Sequence, residues 1–124
     1  MGNEFLEKYQ AFCKTVSSPF ETREKEIMTW GLGICGEAGD LAGCIKKTVS
    51  HGNDQLPGIK ENLGDVIWYA AMICNFYGWT LEDAIKENVD KLSKRYPNGF
   101  SWDAIQRGNT RVDWMEEKKA AGKK

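Results

Sequence analysis

Apolar residues recur at helical intervals along most of the chain, and residues that stop helices separate the runs. Phe5, Tyr9, Phe12, Cys13 and Val16 share a helical spacing and predict a first helix over Glu4 to Val16. Ser17-Ser18-Pro19 ends it. Ser18, Pro19 and Glu21 also read as a cap, a first-turn proline and a capping box, so a second helix is expected from about Phe20 to Val49. Its charged start, ETREKE, reads as a solvated face, and Ile27, Trp30, Ile34, Leu41 and Ile45 form its apolar stripe. His51-Gly52-Asn53-Asp54 is a loop. A third helix should open at Pro57 and stop at Gly78, and a fourth, capped by Thr80 with Asp83 three residues on, should end before Pro97-Asn98-Gly99. A short helix is expected after Ser101. No segment alternates as a strand would. The expected fold is therefore all-α, a four-helix bundle.

The third helix carries Trp68, Tyr69, Phe76 and Tyr77 and is apolar around most of its circumference. A helix of that kind needs cover on several sides. In a chain of 124 residues this predicts a homo-oligomer, a homodimer or homotetramer. Residues 1–115 are expected as one domain, with 116–124 as a charged tail that frays.

Composition narrows the function classes. The chain has 17 Lys and Arg against 18 Asp and Glu, a net charge of −1, so nothing suggests nucleic acid or an anionic membrane as partner. The longest apolar run, Val66 to Cys74, is too short to span a bilayer, and the N-terminal residues lack a signal-peptide pattern. The four cysteines form no Cys-x-x-Cys pair and there is one histidine, so a zinc site is poorly supported. Reduced core thiols in a cytoplasmic protein are the expectation.

Two features of helices two and three break the pattern. The stretch GLGICGEAGDLAGCIKK holds five glycines where a helix is expected, each costing about 1 kcal/mol against alanine. Among them, Glu37 and Asp40 stand at i and i+3, on one face. On the third helix, Glu61, Asn62 and Asp65 in KENLGDVIWYAA share roughly one face, just before the apolar run. Two acidic faces offered to one gap repel each other. A divalent cation with oxygen ligands, Mg²⁺ or Mn²⁺, resolves that conflict. The competing explanation is a solvated acidic surface or salt bridges to Lys46, Lys47 and Lys60. A di-iron bundle needs Glu-x-x-His pairs, which a single histidine cannot supply. Glycines 33, 36, 39 and 43 would let a second helix or a ligand approach the backbone beside the carboxylates. Trp30 or Trp68 could stack a base, although either also suits a core.

GLGICGEAGDLAGCIKK, KENLGDVIWYAA and then ENVDKLSKRYPNGF together resemble the MazG-like nucleoside triphosphate pyrophosphohydrolases, over roughly residues 27 to 100. The resemblance implies an all-α oligomer that uses Mg²⁺ to hydrolyse a nucleoside triphosphate to the monophosphate and pyrophosphate. It places metal ligands on Glu37, Asp40 and Asp65, with Asp40 where glutamate is more usual. The family's remaining glutamate position falls on Asn62, a departure that removes one charge; Glu61 is one residue away and could substitute. Glu37 or Glu61 would orient or deprotonate the attacking water. The resemblance turns Asn88 and Lys91 of the fourth helix toward the substrate, and Arg95 and Lys46 are further candidate phosphate ligands. A nucleotide-binding or dimerisation module without turnover is the alternative that Asn62 favours, and hydrolysis of a related pyrophosphate is a third reading.

Overall fold

A computed structural model describes residues 2–108. Five helices follow in order: α1 (Gly2–Thr15), α2 (Arg23–Ser50), α3 (Leu56–Tyr77), α4 (Leu81–Arg95) and α5 (Trp102–Gly108). Among the described residues there is no strand beyond an isolated bridge between Pro97 and Gly99. The all-α expectation holds. No helix of the described residues is long and apolar enough to cross a membrane. The chain divides into two compact units at Glu82/Asp83. The expected 116–124 tail lies outside the described residues.

In the first unit, α3 is the central element, packing against both α2 and α1. Its buried residues Ala71, Met72 and Cys74 meet Trp30 of α2, Cys13 of α1 and Leu81. Around them sit Tyr9, Phe20, Ile27, Trp68, Tyr69 and Phe76, partly buried. Trp30 is the hub of the aromatic part, with edge-on contacts to Phe20 at 5.1 Å and Trp68 at 5.4 Å. Its indole N–H, which burial would otherwise leave unpaired, donates to Glu26 at 3.1 Å.

Gln10 fastens α1 to the α3–α4 corner. Its amide nitrogen donates to Asn75 Oδ1 at 2.8 Å and to the carbonyl of Trp79 at 2.7 Å. Its amide oxygen accepts from the Leu81 N–H at 2.9 Å, satisfying an orphan donor of the first turn of α4. Asn75 returns a bond to the Gln10 carbonyl at 3.1 Å.

One local expectation needs correction. The Ser18 capping box is not used: α2 starts at Arg23, and Thr22, extended at φ −138 and ψ 157, accepts the Lys25 N–H. In the non-helical segment before it, Phe20 packs edge-on against Trp30. ETREKE is exposed from Glu21 to Lys25, as expected, and two of its residues also brace the core. Arg23 donates to the Phe76 carbonyl at 3.2 Å and lies 4.1 Å from the Phe76 ring centroid, and Glu26 holds the Trp30 indole. The stop at Gly78 is as expected, with φ at +73 and the next N–H bonded back to Cys74.

The second unit holds most of α4 and α5. The Ser101 hydroxyl caps α5 by accepting the Ala104 N–H at 3.0 Å, and Phe100 and Trp102 meet edge-on at 5.3 Å.

Candidate active site

α2 and α3 are joined by the short segment 51–55 and run antiparallel, as such a connection favours. Cross-helix contacts define the register. Arg23 meets Phe76, Gly33 meets Tyr69, Cys44 meets Asn62 and Gly58, and Thr48 meets the Gln55 backbone. Residue numbers rise along α2 as they fall along α3. The α2 positions 30, 33, 37, 40, 44 and 48 recur at three or four residues and so face α3 as one stripe. The opposing α3 stripe runs 58, 62, 65, 69, 72 and 76. Carboxylates occupy the middle of this seam, between an aromatic end and the Cys44–Asn62 end.

Glu37 is pushed above the usual carboxylate range, first by desolvation and then by the charges of Asp65, Asp40 and Glu61. No described residue offers any of the four an ion pair or a hydrogen bond. The ion pairs among the described residues, Lys8–Glu4 and Lys25–Glu21, are exposed contacts elsewhere. Lys46, Lys47 and Lys60 therefore do not neutralise the cluster, and the salt-bridge explanation of these acids fails. No three Asp, Glu, His or Cys side chains among the described residues converge into a ready-made metal cage. The donor set still fits Mg²⁺, a hard ion commonly held by one or two carboxylates together with waters and substrate phosphates.

The other candidates divide. Asn62 is half-buried in the seam, and its amide nitrogen donates to Cys44 Sγ at 3.3 Å. Trp68 is committed to the aromatic core, edge-on to Trp30 at 5.4 Å and to Tyr69 at 5.0 Å. Lys46 is exposed on α2. Asn88, Lys91 and Arg95 lie in the second unit, on one face of α4.

The glycines have separate roles. A Cβ on Gly33 would overlap three ring carbons of Tyr69, so this glycine seats α3 against α2. Around Gly31, Gly36, Gly39 and Gly43 there is open space. Of the four expected to admit a neighbour, only Gly33 is filled from within the described residues.

The structure adds one residue to the cluster's surroundings. Tyr9 of α1, expected only as part of an apolar stripe, feels the charge of Asp65. Its phenol is pushed up to about 12, chiefly by burial, then by its hydrogen bond to Cys13 and the Cys13 and Asp65 charges. Only the packing of α1 on α3 brings it there, and no local signal marks it. The four cysteines are free thiols: Cys13 and Cys74 are buried with raised pKa values, Cys44 is half-buried and Cys35 is exposed.

The family profile described as the MazG nucleotide pyrophosphohydrolase domain matches residues 25–100, more than half of the chain and all of the α2–α3 seam from Lys25 onward. The chain is 30% identical over 73 residues to the Gene 37 protein of Mycobacterium phage L5, covering 55% of this chain and 64% of that protein. It is 33% identical over 70 residues to the uncharacterized protein YvdC of Bacillus subtilis (strain 168), covering 48% of this chain and 66% of that protein. It thus spans slightly less than two thirds of the length of these relatives. No solved structure matches significantly. The motif pair on α2 and α3 and the extent of the profile match agree: the chain belongs to the MazG nucleotide pyrophosphohydrolase domain family.

Proposed function

We propose that this protein is a Mg²⁺-dependent nucleoside triphosphate pyrophosphohydrolase, converting a (d)NTP and water to the (d)NMP and pyrophosphate, and so clearing nucleotides from the pool. The observation that carries this reading is that Glu37 and Asp40 on α2 face Asp65 on α3, with Glu61 exposed beside it, and no described residue forms an ion pair with any of the four. Such an arrangement lowers the stability of the bare protein, and a divalent ion removes the penalty. Glu37, Asp40, Glu61 and Asp65, with the Asn62 carbonyl, are the residues that would hold Mg²⁺, and Mn²⁺ would be a substitute of the same ligand preference. When bound, the ion offsets charge on phosphate oxygens and lowers the pKa of a water. Glu37 or Glu61 orients that water or takes its proton. Lys46, Asn88, Lys91 and Arg95 are the candidate phosphate ligands, and Trp68, half-buried at the margin of the aromatic core, is the candidate to stack a base.

Assembly as a homodimer or homotetramer belongs to the same reading. Met28, Leu32 and Val49 on α2 and Leu63 and Ile67 on α3 are exposed, and glycines 36 and 39 leave the α2 backbone open beside them.

A second reading, nucleotide binding with weak or no turnover, is favoured by Asn62, whose amide brings no charge to the cluster. Each common (d)NTP should be incubated with the protein and Mg²⁺, and the products separated by chromatography. Monophosphate with pyrophosphate supports hydrolysis, and chelation should abolish it. If wild type is inert and Asn62→Glu turns over, the natural site is a weakened one. If both are inert while nucleotide still binds, the binding module is correct.

A further inference from the structure

One rung beyond the carboxylates, Cys44, Gly58 and Asn62 meet across the seam. The Asn62 amide nitrogen donates to Cys44 Sγ at 3.3 Å. Gly58 makes room for that sulfur: a Cβ there would lie 3.3 Å from it, close enough to force it to give. The Cys44 backbone is held as well, since its carbonyl accepts the Thr48 hydroxyl at 3.0 Å and that hydroxyl oxygen accepts the Gln55 N–H at 3.1 Å. The thiol is therefore a fixed acceptor on α2, facing an amide on α3.

An amide has two chemically opposite ends. Beside carboxylates, an unconstrained asparagine turns its N–H groups toward them, because carboxylates only accept. That orientation would aim donors at the place a cation needs. Here the nitrogen is taken by sulfur, and no described residue donates to the carbonyl oxygen. Asp40 and Cys44 are one helical turn apart on α2, so the Cys44–Asn62 contact lies one turn along that helix from Asp40.

We propose that Cys44 is a positioning residue: its sulfur holds the Asn62 amide nitrogen, so that the Asn62 carbonyl oxygen is the end left to a divalent cation at the acidic cluster. This rests on the metal site of the proposed function, and assigns the half-buried thiol a task separate from oxidation or catalysis.

The test is Mn²⁺ binding without nucleotide, read from the EPR signal of the free ion. The variants are Cys44→Ala, Cys44→Ser, Asn62→Ala and the Cys44→Ala/Asn62→Ala pair, with metal-free melting as a check on folding. Residues that orient a metal ligand are typically worth about 10- to 100-fold in affinity. With a neutral ligand, the lower end is expected, about tenfold for Cys44→Ala. Cys44→Ser, which keeps an acceptor, should stay close to wild type. In the Asn62→Ala background, Cys44→Ala should change nothing further. Gly58→Ala, which crowds the sulfur without touching either partner, should weaken Mn²⁺ binding as Cys44→Ala does. Equal losses for Ser and Ala, or an undiminished Cys44→Ala effect without Asn62, would overturn the proposal while leaving the metal site standing. Absence of Mn²⁺ binding by the wild-type protein would overturn both.

Discussion

Gly33→Ala should destabilise the protein, although alanine is the better helix former. The substitution recovers about 1 kcal/mol of helix propensity. Against that, the new methyl overlaps Cδ1, Cε1 and Cζ of Tyr69, carbons of a rigid ring and not a flexible end that can swing aside. Overpacking of this kind costs typically 1–3 kcal/mol. The ring cannot move freely, because it meets Trp68 edge-on at 5.0 Å and Trp30 at 6.0 Å, contacts worth about 0.5–1.5 kcal/mol each. Allowing for overlap between these terms, the net loss is about 1–3 kcal/mol. For a chain of this length that corresponds to a Tm lower by about 4–12 °C. Gly31→Ala is the matched control: nothing lies within 4 Å of its Cβ, so the same change should raise stability by about 1 kcal/mol. Tyr69→Leu added to Gly33→Ala should cost less than the two single effects summed, since the overlap is relieved. Thermal and urea unfolding of metal-free protein measure all of these. If Gly33→Ala proves as stable as Gly31→Ala, Tyr69 does not rest on Gly33 and the seam register is wrong.

Other consequences are as direct. Gln10→Ala removes bonds to Asn75, Trp79 and Leu81 and should cost about 2–4 kcal/mol in urea unfolding; a loss below 0.5 kcal/mol would mean the α1 fastening is idle. Glu37 binds its proton more tightly in the fold than its ordinary value of 4.5 allows, so its contribution to stability is full below that value and is lost as pH rises through the raised folded value. In metal-free protein Glu37→Gln should therefore be the more stable form at neutral pH, with the gap closing as pH falls toward 4.5, and saturating Mg²⁺ should reverse the order. A gap that stays flat with pH would refute the shared acidic field.

The elements that were legible are those whose signals are local. Gly78 stops α3 because a left-handed residue is needed there, and the Ser101 hydroxyl caps α5 from three residues away. The pair Glu37 and Asp40 could be placed on one face from spacing alone. What escaped depends on other helices. Ser18 reads as a cap, but the helix is capped by Thr22 and starts at Arg23, while Phe20, outside the helix, packs on Trp30. Tyr9 joins the surroundings of Asp65 only once α1 docks on α3. The bond between Asn62 and Cys44 needs the α2–α3 register, which no single helix reveals.

The central claim is that the carboxylates of the α2–α3 seam carry pyrophosphate release. Its most direct test is ³¹P NMR of a (d)NTP incubated with Mg²⁺ and either wild type or Asp65→Asn, a change that keeps size but removes charge from the cluster. The account predicts monophosphate and pyrophosphate in equal amounts with wild type, and neither with Asp65→Asn. Diphosphate with inorganic phosphate, or undiminished turnover by Asp65→Asn, would contradict it.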